Sequence, residues 1–416
     1  MEHKQIYKFD KKIFSTLQPS AVELLECEFG LKDETSQINS LSKNNKYIEL
    51  EYTDKNYTCH DKINKIINSD IQAISFFSGA GGLDIGAQLA GVKVISSLDF
   101  EKQAVETMKA NKYFTHTKHI CEDISNITAN DYTEVIKKNK PKKLLLIGGP
   151  PCQPFSKAGY WITNKNRKAS EDPRNMIGQY IRMIDELKPD GFLLENVESI
   201  LHPTNKNAVE NLENAIKQMG YYFVMIKANS ADYGVPQKRK RVFFIASKNE
   251  IKIDIKKLNG LEKERSVNSD LLAYDNVLNW IAKYDIDKYF EKEEVTTNKT
   301  YSNELYAVPP GKNYISLTEK AGYPNPKFIA NKRFWSFLLK LHPYLPSWTI
   351  SASPGPWVGP FHWSGRRLRV REAASIQTFP EDYIFTGSRR NIQKQIGNAV
   401  PPLLGKAMVE YLVKCL

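Results

Sequence analysis

Cys152 lies in residues 148–156, Gly-Gly-Pro-Pro-Cys-Gln-Pro-Phe-Ser, directly after the apolar run at 143–147. A prolyl turn after an apolar strand would present the thiol at the carboxyl edge of a sheet, where ligand crevices form. An isolated cysteine is more often a small buried hydrophobic residue. The prolines around this one favour the other interpretation, a thiol that is accessible for nucleophilic chemistry.

Glu195 and Asn196 end a second apolar run, at 191–194. Both would point at the same crevice, because the carboxyl ends of parallel strands lie along one edge of a sheet. A carboxyl group at a strand end is sometimes only structural. Burial there would raise its pKa and suit it to acid catalysis, so the segment predicts a proton donor near the thiol.

Two basic segments are further candidates. In residues 233–242, Tyr-Gly-Val-Pro-Gln-Lys-Arg-Lys-Arg-Val, the alternation of an extended chain sends Gln237, Arg239 and Arg241 to one side. Such a run is equally compatible with a solvated face. The arginine-rich segment 366–380 leads into a predicted helix and suits phosphate contacts or interdomain ion pairs, with ordinary scaffolding as the alternative.

A glycine loop at 76–86, Phe-Phe-Ser-Gly-Ala-Gly-Gly-Leu-Asp-Ile-Gly, stands between a predicted strand and a predicted helix. Glycines let the backbone approach a ligand closely. Asp84 replaces the last glycine of the dinucleotide pattern Gly-x-Gly-x-x-Gly, which argues against NAD. Asp99 follows at the distance where an acid closing the second strand accepts hydrogen bonds from a ribose, although a solvated loop acid is the alternative.

Short apolar runs alternate with helical stretches from Ile71 onward, and one helix ends near Leu187. The runs that predict strands are residues 73–77, 92–96, 143–147, 191–194 and 241–246. This alternation predicts a doubly wound, Rossmann-like α/β sheet with helices on both faces.

The 416-residue chain is long enough for two lobes. Residues 1–70 form an N-terminal extension with one helix-like stretch at 20–30 and no assigned role. Residues 71–248 form the predicted catalytic domain, which 392–416 complete. The charged, aromatic stretch 249–391 is predicted to be a second domain with its hinge, and a helix at 401–413 should pack on a core.

A net charge of +12 favours a polyanionic partner, and the excess of bases lies after residue 70. No apolar run approaches the roughly 20 residues of a membrane span, and the amino terminus is not a signal peptide. The five cysteines are scattered, without the spacing of a zinc site or a disulfide framework. These features predict a cytoplasmic protein with neither a membrane partner nor a metal.

Taken together and in order, the segments from 76 to 408 resemble the DNA (cytosine-5) methyltransferases of bacterial restriction–modification systems. Residues 77–82 are similar to the S-adenosyl-L-methionine (AdoMet) loop, and 150–153 to the nucleophile motif. Residues 195–197 resemble the acid motif and 237–241 the base-contacting motif. The segments 366–380 and 395–402 are similar to the two motifs that follow the recognition domain.

The resemblance implies an AdoMet-dependent methyltransferase fold with a smaller target-recognition domain. The residues that it assigns to AdoMet are Phe77, Ser78, Gly79, Gly81, Gly82, Leu83, Asp99, Phe100, Asp123, Ile124, Gly149, Pro151, Ile177, Asn398 and Val400. It assigns Gln153, Ser156 and Gln237 to DNA. The chain departs from many relatives at Asp99, where they carry Glu, and at Pro150, a variable position.

The implied mechanism begins at Cys152. Methylating cytosine C5 requires a nucleophile to add at C6, which temporarily breaks the aromaticity of the ring. A protonated Glu195 would stabilise the charge that develops toward N3, while Arg241 would hold O2 with Arg239 beside it. These steps require that the base first be flipped out of the duplex. After C5 has taken the AdoMet methyl group, loss of the C5 proton and expulsion of the cysteine restore the ring.

The resemblance also implies double-stranded DNA as partner, a monomer, and a functional pairing with a restriction endonuclease. A tRNA cytosine-5 methyltransferase and a catalytically inactive DNA-binding relative are the alternatives. An exocyclic-amine methyltransferase or an oxidoreductase would explain the glycine loop but not Cys152. A DNA-binding module in residues 1–70 is disfavoured by their near-zero net charge. The DNA sequence that the protein recognises is not readable from the chain.

Overall fold

The computed structural model describes residues 2–8, 47–53, 69–151, 176–254, 276–297, 299–330 and 334–416. Predictions made for 20–30, and for Cys152, Gln153 and Ser156, lie outside the described residues. The strands are β1 (Glu2–Lys8), β2 (Tyr47–Thr53), β3 (Ile71–Phe76), β4 (Lys93–Asp99), β5 (Lys118–Cys121), β6 (Lys143–Gly148), β7 (Gly191–Val197), β8 (Tyr222–Asn229), β9 (Gln237–Lys238), β10 (Lys240–Ser247) and β11 (Ser347–Trp348).

The helices of the described residues alternate with these strands. They are α1 (Gly82–Leu89), α2 (Lys102–Lys109), α3 (Thr133–Asn139), α4 (Met176–Leu187), α5 (Lys206–Gln218), α6 (Val277–Ile281), α7 (Ser302–Ala307), α8 (Val370–Ile376), α9 (Arg389–Asn398) and α10 (Pro402–Lys414). Short 3₁₀ turns join them at Lys112–Phe114, Ile124–Asn126, Ala129–Tyr132, Glu198–Leu201, Pro203–Asn205, Ser230–Tyr233, Ala282–Tyr284, Asp287–Tyr289, Lys292–Glu294, Tyr314–Leu317 and Glu319–Ala321.

Seven strands form one sheet in the order β5-β4-β3-β6-β7-β10-β8. The pairs from β5 through β7 are parallel, whereas β10 is antiparallel to both β7 and β8. The first residues of β10 therefore lie at the edge where β7 ends, and Arg241 is registered with Val197. This chain direction brings Arg241 to the carboxyl ends of the parallel strands.

The five predicted strands are confirmed as β3, β4, β6, β7 and β10. Two more strands, β5 and β8, extend the sheet at its edges. Edge strands are covered on fewer sides, so β5 has no buried residue, and β8 is buried only at Ile226 and Ala228. The sequence of β5 therefore lacks the apolar run that marks the central strands, whereas β8 has one at residues 223–226 to which no strand was assigned.

Helices cover both faces of the sheet, as the doubly wound prediction requires. Successive strand residues point to opposite faces, so Ile74 and Phe76 join a core with Tyr180 and Met183 of α4, while Ala73 joins the core on the other face. Each central strand is buried on both sides, which is why its sequence is mostly apolar rather than strictly alternating.

Helix α10 closes the second core. Leu404, Met408 and Leu412 are fully buried in it, as the apolar face at 401–413 predicts. Gly86 of α1 lies against the backbone of α10, because a Cβ there would stand 2.7 Å from the amide nitrogen of Lys406. The last helix of the chain thus packs directly on the helix that follows the glycine loop.

Two compact units divide the described residues. The sheet unit consists of the described parts of Tyr57–Val235, Arg239–Glu264 and Gln377–Leu416. The second unit consists of the described parts of Met1–Asn56 and Arg265–Ile376, with Pro236–Lys238. The functions predicted for the domains stay predictions. Along the described residues, none of the helices has the length and apolar character to cross a membrane.

The second unit contains the antiparallel hairpin β1–β2, the parallel pair β9–β11 and an aromatic core. Tyr314, Phe328 and Phe337 meet edge to face there, with ring centroids 5.6 to 5.9 Å apart. The sequence analysis assigned no strand to residues 1–70. The hairpin pairs segments that are about forty residues apart, which short-range patterns do not reveal.

Arginines of the 366–380 segment form ion pairs inside the second unit. Arg366 binds both carboxylate oxygens of Glu372, at 2.9 and 2.7 Å, and also reaches Asp285 at 2.8 Å. Arg369 pairs with Glu294. Glu372 is fully buried, so these contacts favour the scaffolding interpretation over phosphate contacts. The helix that was predicted to follow is α8.

Candidate functional site

A pocket of about 810 Å³ lies in the sheet unit, at the carboxyl ends of β3, β4, β6 and β7. Its volume is typical of small-molecule sites. The predicted site residues that line it are Phe77, Ser78, Gly79, Leu83, Asp99, Phe100, Asp123, Ile124, Gly149, Pro151, Glu195, Arg239, Arg241, Asn398 and Val400. The parallel strands all end here, so segments far apart in the chain meet at one site.

The glycine loop leaves β3 through a left-handed backbone. Phe77, Gly79 and Gly81 have φ values of 55°, 53° and 77°. Glycine adopts this conformation freely, whereas a phenylalanine there is strained. The Ser78 amide donates to the Leu98 carbonyl at 3.1 Å, which ties the loop to the end of β4. The loop therefore holds its backbone open toward the pocket.

Gly81 and Gly82 do not line the pocket, and packing explains why both are glycine. A Cβ on Gly82 would stand 2.3 Å from the Val400 carbonyl oxygen, and one on Gly81 would stand 2.7 Å from the Phe114 ring. Gly82 thus lets α1 begin against the segment that follows α9, and Gly81 leaves room for the Phe114 ring. Their predicted direct contact with AdoMet stays a prediction.

Asp99 closes β4 and shapes the loop opposite. Its two carboxylate oxygens accept the amides of Gly79 and Glu101, at 2.7 and 2.9 Å. Burial raises the pKa of this carboxyl above its ordinary value, while the two amides act against the rise. Each oxygen keeps a second acceptor site, so a ligand hydroxyl could still bind there. Phe100 beside it also lines the pocket, and its ring is 64% exposed.

Asp123 lies at the same end of the pocket. Its Oδ1 accepts the backbone amide and the hydroxyl of Ser125, at 2.8 and 2.7 Å. These hydrogen bonds, the amide foremost, hold the pKa of the carboxyl below its ordinary value. Ile177, predicted to complete this part, is instead buried in the core, and its neighbour Met176 lines the pocket. Adjacent residues of a helix point in different directions. At the start of α4, Met176 therefore faces the pocket and Ile177 faces the core.

Glu195 and Arg241 meet at the other end of the pocket. The Arg241 Nε lies 2.8 Å from the Glu195 Oε1, and both side chains are 13% exposed. The Glu195 carboxylate also lies against Gly149, where a Cβ would stand 2.9 Å from the Oε2. Only a glycine at 149 leaves this room. The pair is thus held at the pocket wall, with each partner still accessible.

Arg239 has a different place from its neighbour two residues on. It is 1% exposed, and its Nη2 donates to the Gly397 carbonyl at 2.8 Å. Desolvation, followed by the charge of Arg241, lowers the pKa of this guanidinium well below its ordinary value. Arg239 therefore holds the end of α9 beside the pocket and acts as a positioning residue.

The same helix contributes pocket residues that sequence reasoning missed. Asn391, Lys394 and Gln395 line the pocket beside the predicted Asn398. Lys394 forms an ion pair with Glu101 across 2.6 Å. These residues face the pocket on successive turns of α9, and the only signal for them in the sequence is their helical spacing from Asn398.

Gln237 is not among the residues that line the pocket. It is fully buried in the second unit, and its Oε1 accepts the Ile350 amide at 3.1 Å. The alternation that was expected to align it with Arg239 and Arg241 is interrupted, because Arg239 lies between β9 and β10. Its predicted contact with DNA stays a prediction.

Cys152, Gln153 and Ser156 lie outside the described residues. The chain that leads to them does reach the pocket, which Gly149, Pro150 and Pro151 all line. Asn196 donates to the Pro150 carbonyl at 3.2 Å, so the end of β7 holds the prolyl turn. Within the described ranges, no group of three or more His, Cys, Asp and Glu side chains is arranged to hold a metal ion.

The sheet order, the glycine loop and the pocket at the carboxyl ends of the strands define a class, the Rossmann-like methyltransferases. A prophage-encoded DNA modification methyltransferase of E. coli has the same fold, with a TM-score of 0.57 and 24% identity, over 83% of this chain and 99% of that one. The chain belongs to the family of C-5 cytosine-specific DNA methylases, whose family model matches residues 71–414. It is a DNA (cytosine-5) methyltransferase.

Two curated relatives are similar over most of their length. The Type II methyltransferase M.SacI of Streptomyces achromogenes is 36% identical, over 84% of this chain and 94% of the relative. The Type II methyltransferase M1.HphI of Haemophilus parahaemolyticus is 31% identical, over 82% and 86%. Family membership rules against the exocyclic-amine and oxidoreductase alternatives.

Proposed function

We propose that this protein transfers the AdoMet methyl group to C5 of a flipped cytosine in a specific duplex DNA sequence, using Cys152 as nucleophile. One observation carries the assignment of the base-binding end: the Glu195–Arg241 pair, at 2.8 Å in the pocket that the glycine loop also lines. The pair places a carboxyl and a guanidinium side by side, as the two polar edges of a cytosine require.

The described residues fit AdoMet at the opposite end of the pocket. Asp99 and Asp123 offer carboxylate oxygens to hydroxyl and amino groups, and the exposed Phe100 ring offers a flat apolar surface. The open loop at Gly79, where a Cβ would meet no atom within 4 Å, leaves room for a ligand against the backbone. AdoMet, when bound, supplies a methyl group activated by its sulfonium.

In the proposed reaction, the Cys152 thiolate adds to C6 and places electron density at C5 and N3. Glu195 in its protonated form donates a hydrogen bond to N3, and Arg241 donates to O2, so that both stabilise the charge that develops on the ring. After methylation, a proton acceptor removes the C5 proton. The electron pair of that C–H bond forms the C5–C6 double bond as the C6–S bond breaks, which restores the aromatic ring and releases the Cys152 thiolate. Arg239 keeps the pocket wall in place throughout.

A cytosine reaches this pocket only outside the base stack, and flipping costs a few kcal/mol. Contacts of the basic chain with phosphates would offset that cost. The named relatives are Type II methyltransferases of bacteria. That designation supports a role as the modification partner of a restriction endonuclease. We further propose that the protein acts as a monomer in the bacterial cytoplasm.

The decisive experiment is methylation sequencing of DNA from cells that express the chain, compared with cells carrying an empty vector. We expect complete C5-methylation at one short sequence. The purified protein should transfer tritium from labelled AdoMet to duplex DNA containing that sequence, and not to tRNA. DNA that lacks 5-methylcytosine at every sequence would refute the proposal and favour an inactive relative. Transfer to tRNA alone would favour the tRNA alternative.

A further inference from the structure

Four aromatic rings of the sheet unit lie against the glycine loop. Tyr383 packs on Phe379 and Phe385, with ring centroids 4.9 and 5.0 Å apart, and meets Phe114 edge to face at 6.5 Å. Tyr383 is 6% exposed, and Phe114 and Phe379 are buried. We call Phe114, Phe379, Tyr383 and Phe385 the supporting cluster. None of these four rings lines the pocket, so they reach a ligand only through the loop.

Successive residues of the loop contact the supporting cluster. The Tyr383 hydroxyl donates a hydrogen bond to the Ala80 carbonyl at 2.5 Å. A Cβ on Gly81, the next residue, would stand 2.7 Å from the Phe114 ring. The backbone of the loop therefore runs directly over these rings, and the Tyr383 hydroxyl adds a polar contact to their apolar surface.

The peptide group between Ala80 and Gly81 is held at both ends. Its carbonyl accepts the Tyr383 hydroxyl, and its N–H donates to the Ser78 carbonyl at 2.9 Å. Ala80 is 1% exposed, and a buried carbonyl requires a hydrogen-bond partner because leaving it unpaired is costly. Phenylalanine at position 383 would keep the ring and remove this partner.

The held peptide group fixes the part of the loop that faces the pocket. Ser78 and Gly79 precede it and line the pocket, and the Gly79 amide donates to Asp99 at 2.7 Å. A glycine moves readily among several backbone conformations. Such a loop receives a ligand only in the fraction of molecules with the right backbone, and the measured Kd rises as this fraction falls.

We propose that Tyr383 is a positioning residue for AdoMet. Its hydroxyl holds the peptide group that follows Ala80, and thereby keeps Ser78 and Gly79 in the conformation that receives the cofactor. The inference rests on the proposed function, in which AdoMet binds at the glycine loop. It adds a residue 303 positions from Ala80 that acts on the loop without touching the cofactor or the reacting atoms.

The test compares Tyr383→Phe with Tyr221→Phe in the full-length protein. The Tyr221 hydroxyl donates to the Pro189 carbonyl at 2.6 Å, and neither of these two residues lines the pocket. Each variant loses one buried hydroxyl that binds a backbone carbonyl, so both melting temperatures should fall by about 2 to 4 °C. Tyr383→Phe alone should raise the Kd for AdoMet, by about fivefold to tenfold in isothermal titration calorimetry.

Kinetics separate positioning from a general loss of structure. The substrate is duplex DNA that carries the sequence methylated by the wild type. Tyr383→Phe should raise the KM for AdoMet by the same factor as the Kd and leave kcat within about twofold of the wild type. Phe385→Leu keeps the hydroxyl but removes a ring that packs on Tyr383, so it should raise the AdoMet Kd about twofold to threefold.

A Tyr383→Phe variant that binds AdoMet as tightly as the wild type would overturn the inference, and so would an equal rise in the Kd of Tyr221→Phe. If Tyr383→Phe fails to fold, Phe385→Leu decides, and an unchanged AdoMet Kd is then the refuting result. Failure of the proposed function is measured on the wild type itself, which would then transfer no methyl group to DNA. The two failures are therefore distinct.

Discussion

At the residue scale, Arg239 and Arg241 both line the pocket, but their environments differ. Arg241 remains accessible beside Glu195, whereas Arg239 is buried and holds the end of α9. The same residue type thus serves as a proposed substrate ligand at one position and as a positioning residue at the other. Burial and hydrogen-bond partners, rather than residue type, distinguish the two roles.

The proposed nucleophile gives the sharpest prediction. Cys152→Ser should lower methyl transfer to duplex DNA by at least about 10⁴-fold, because an alcohol at neutral pH is a far weaker nucleophile than a thiolate. AdoMet binding, measured by calorimetry, should survive. Cys121→Ser is the matched control, since Cys121 is an exposed free cysteine outside the pocket lining, and it should stay fully active. Substantial transfer by the Cys152→Ser variant would contradict the mechanism.

A second prediction concerns Asp84, which is fully buried in α1. Desolvation raises the pKa of its carboxyl from the ordinary value of 3.8 to about 7. Between these two pH values the unfolded chain has lost the proton while the folded chain keeps it, so stability falls as pH rises toward 7. Asp84→Asn removes this dependence, and its stability relative to the wild type should rise by on the order of 4 kcal/mol from pH 4 to pH 8.

Urea denaturation at a series of pH values measures that difference. The control is Glu134→Gln, which replaces a carboxyl group by an amide at a side chain that is 87% exposed. A difference between Asp84→Asn and the wild type that stays constant with pH would contradict the prediction.

At the element scale, α1 and α10 pack without side chains between them at Gly86. Replacing this glycine by alanine gains about 1 kcal/mol of helix propensity, but the new Cβ would lie 2.7 to 2.8 Å from backbone atoms of α10. Backbone yields less readily than a side chain, so overpacking should win, with a net loss of about 1 to 2 kcal/mol in the free energy of unfolding.

Thermal and urea denaturation would check this loss. Gly355→Ala is a suitable comparison, because its Cβ would approach only a side-chain methyl of Val358, at 3.2 Å. Equal stability of the Gly86→Ala variant and the wild type would show that the two helices can separate at no cost.

At the scale of the whole molecule, the sheet unit is built from distant parts of the chain, and Gln377–Leu416 returns to complete it. Met408 of α10 is fully buried in the core on one face of the sheet. Met408→Ala should therefore cost about 2 to 5 kcal/mol of stability, although residue 408 is more than 250 positions from the strands β3 and β4.

Differential scanning calorimetry would measure this effect. Lys414→Ala, on the exposed side of the same helix, should stay within about 0.5 kcal/mol of the wild type. If the two variants melted alike, the returning segment would contribute little to the sheet unit.

The sequence by itself determined the class of fold, the central strands, the glycine loop, the last helix and the family. These follow from signals that are local: apolar runs, turn residues and motifs in a fixed order. It also identified about half of the residues that line the pocket, since the ends of parallel strands meet at one edge whatever the details of packing.

Only the tertiary structure decided which neighbours meet. Glu195 pairs with Arg241 because β10 runs antiparallel to β7, a register that no local pattern encodes. The hairpin β1–β2 and the burial of Gln237 depend on contacts between segments that are tens to more than a hundred residues apart. Local propensity selects the elements, whereas long-range packing selects which side of each element faces the site.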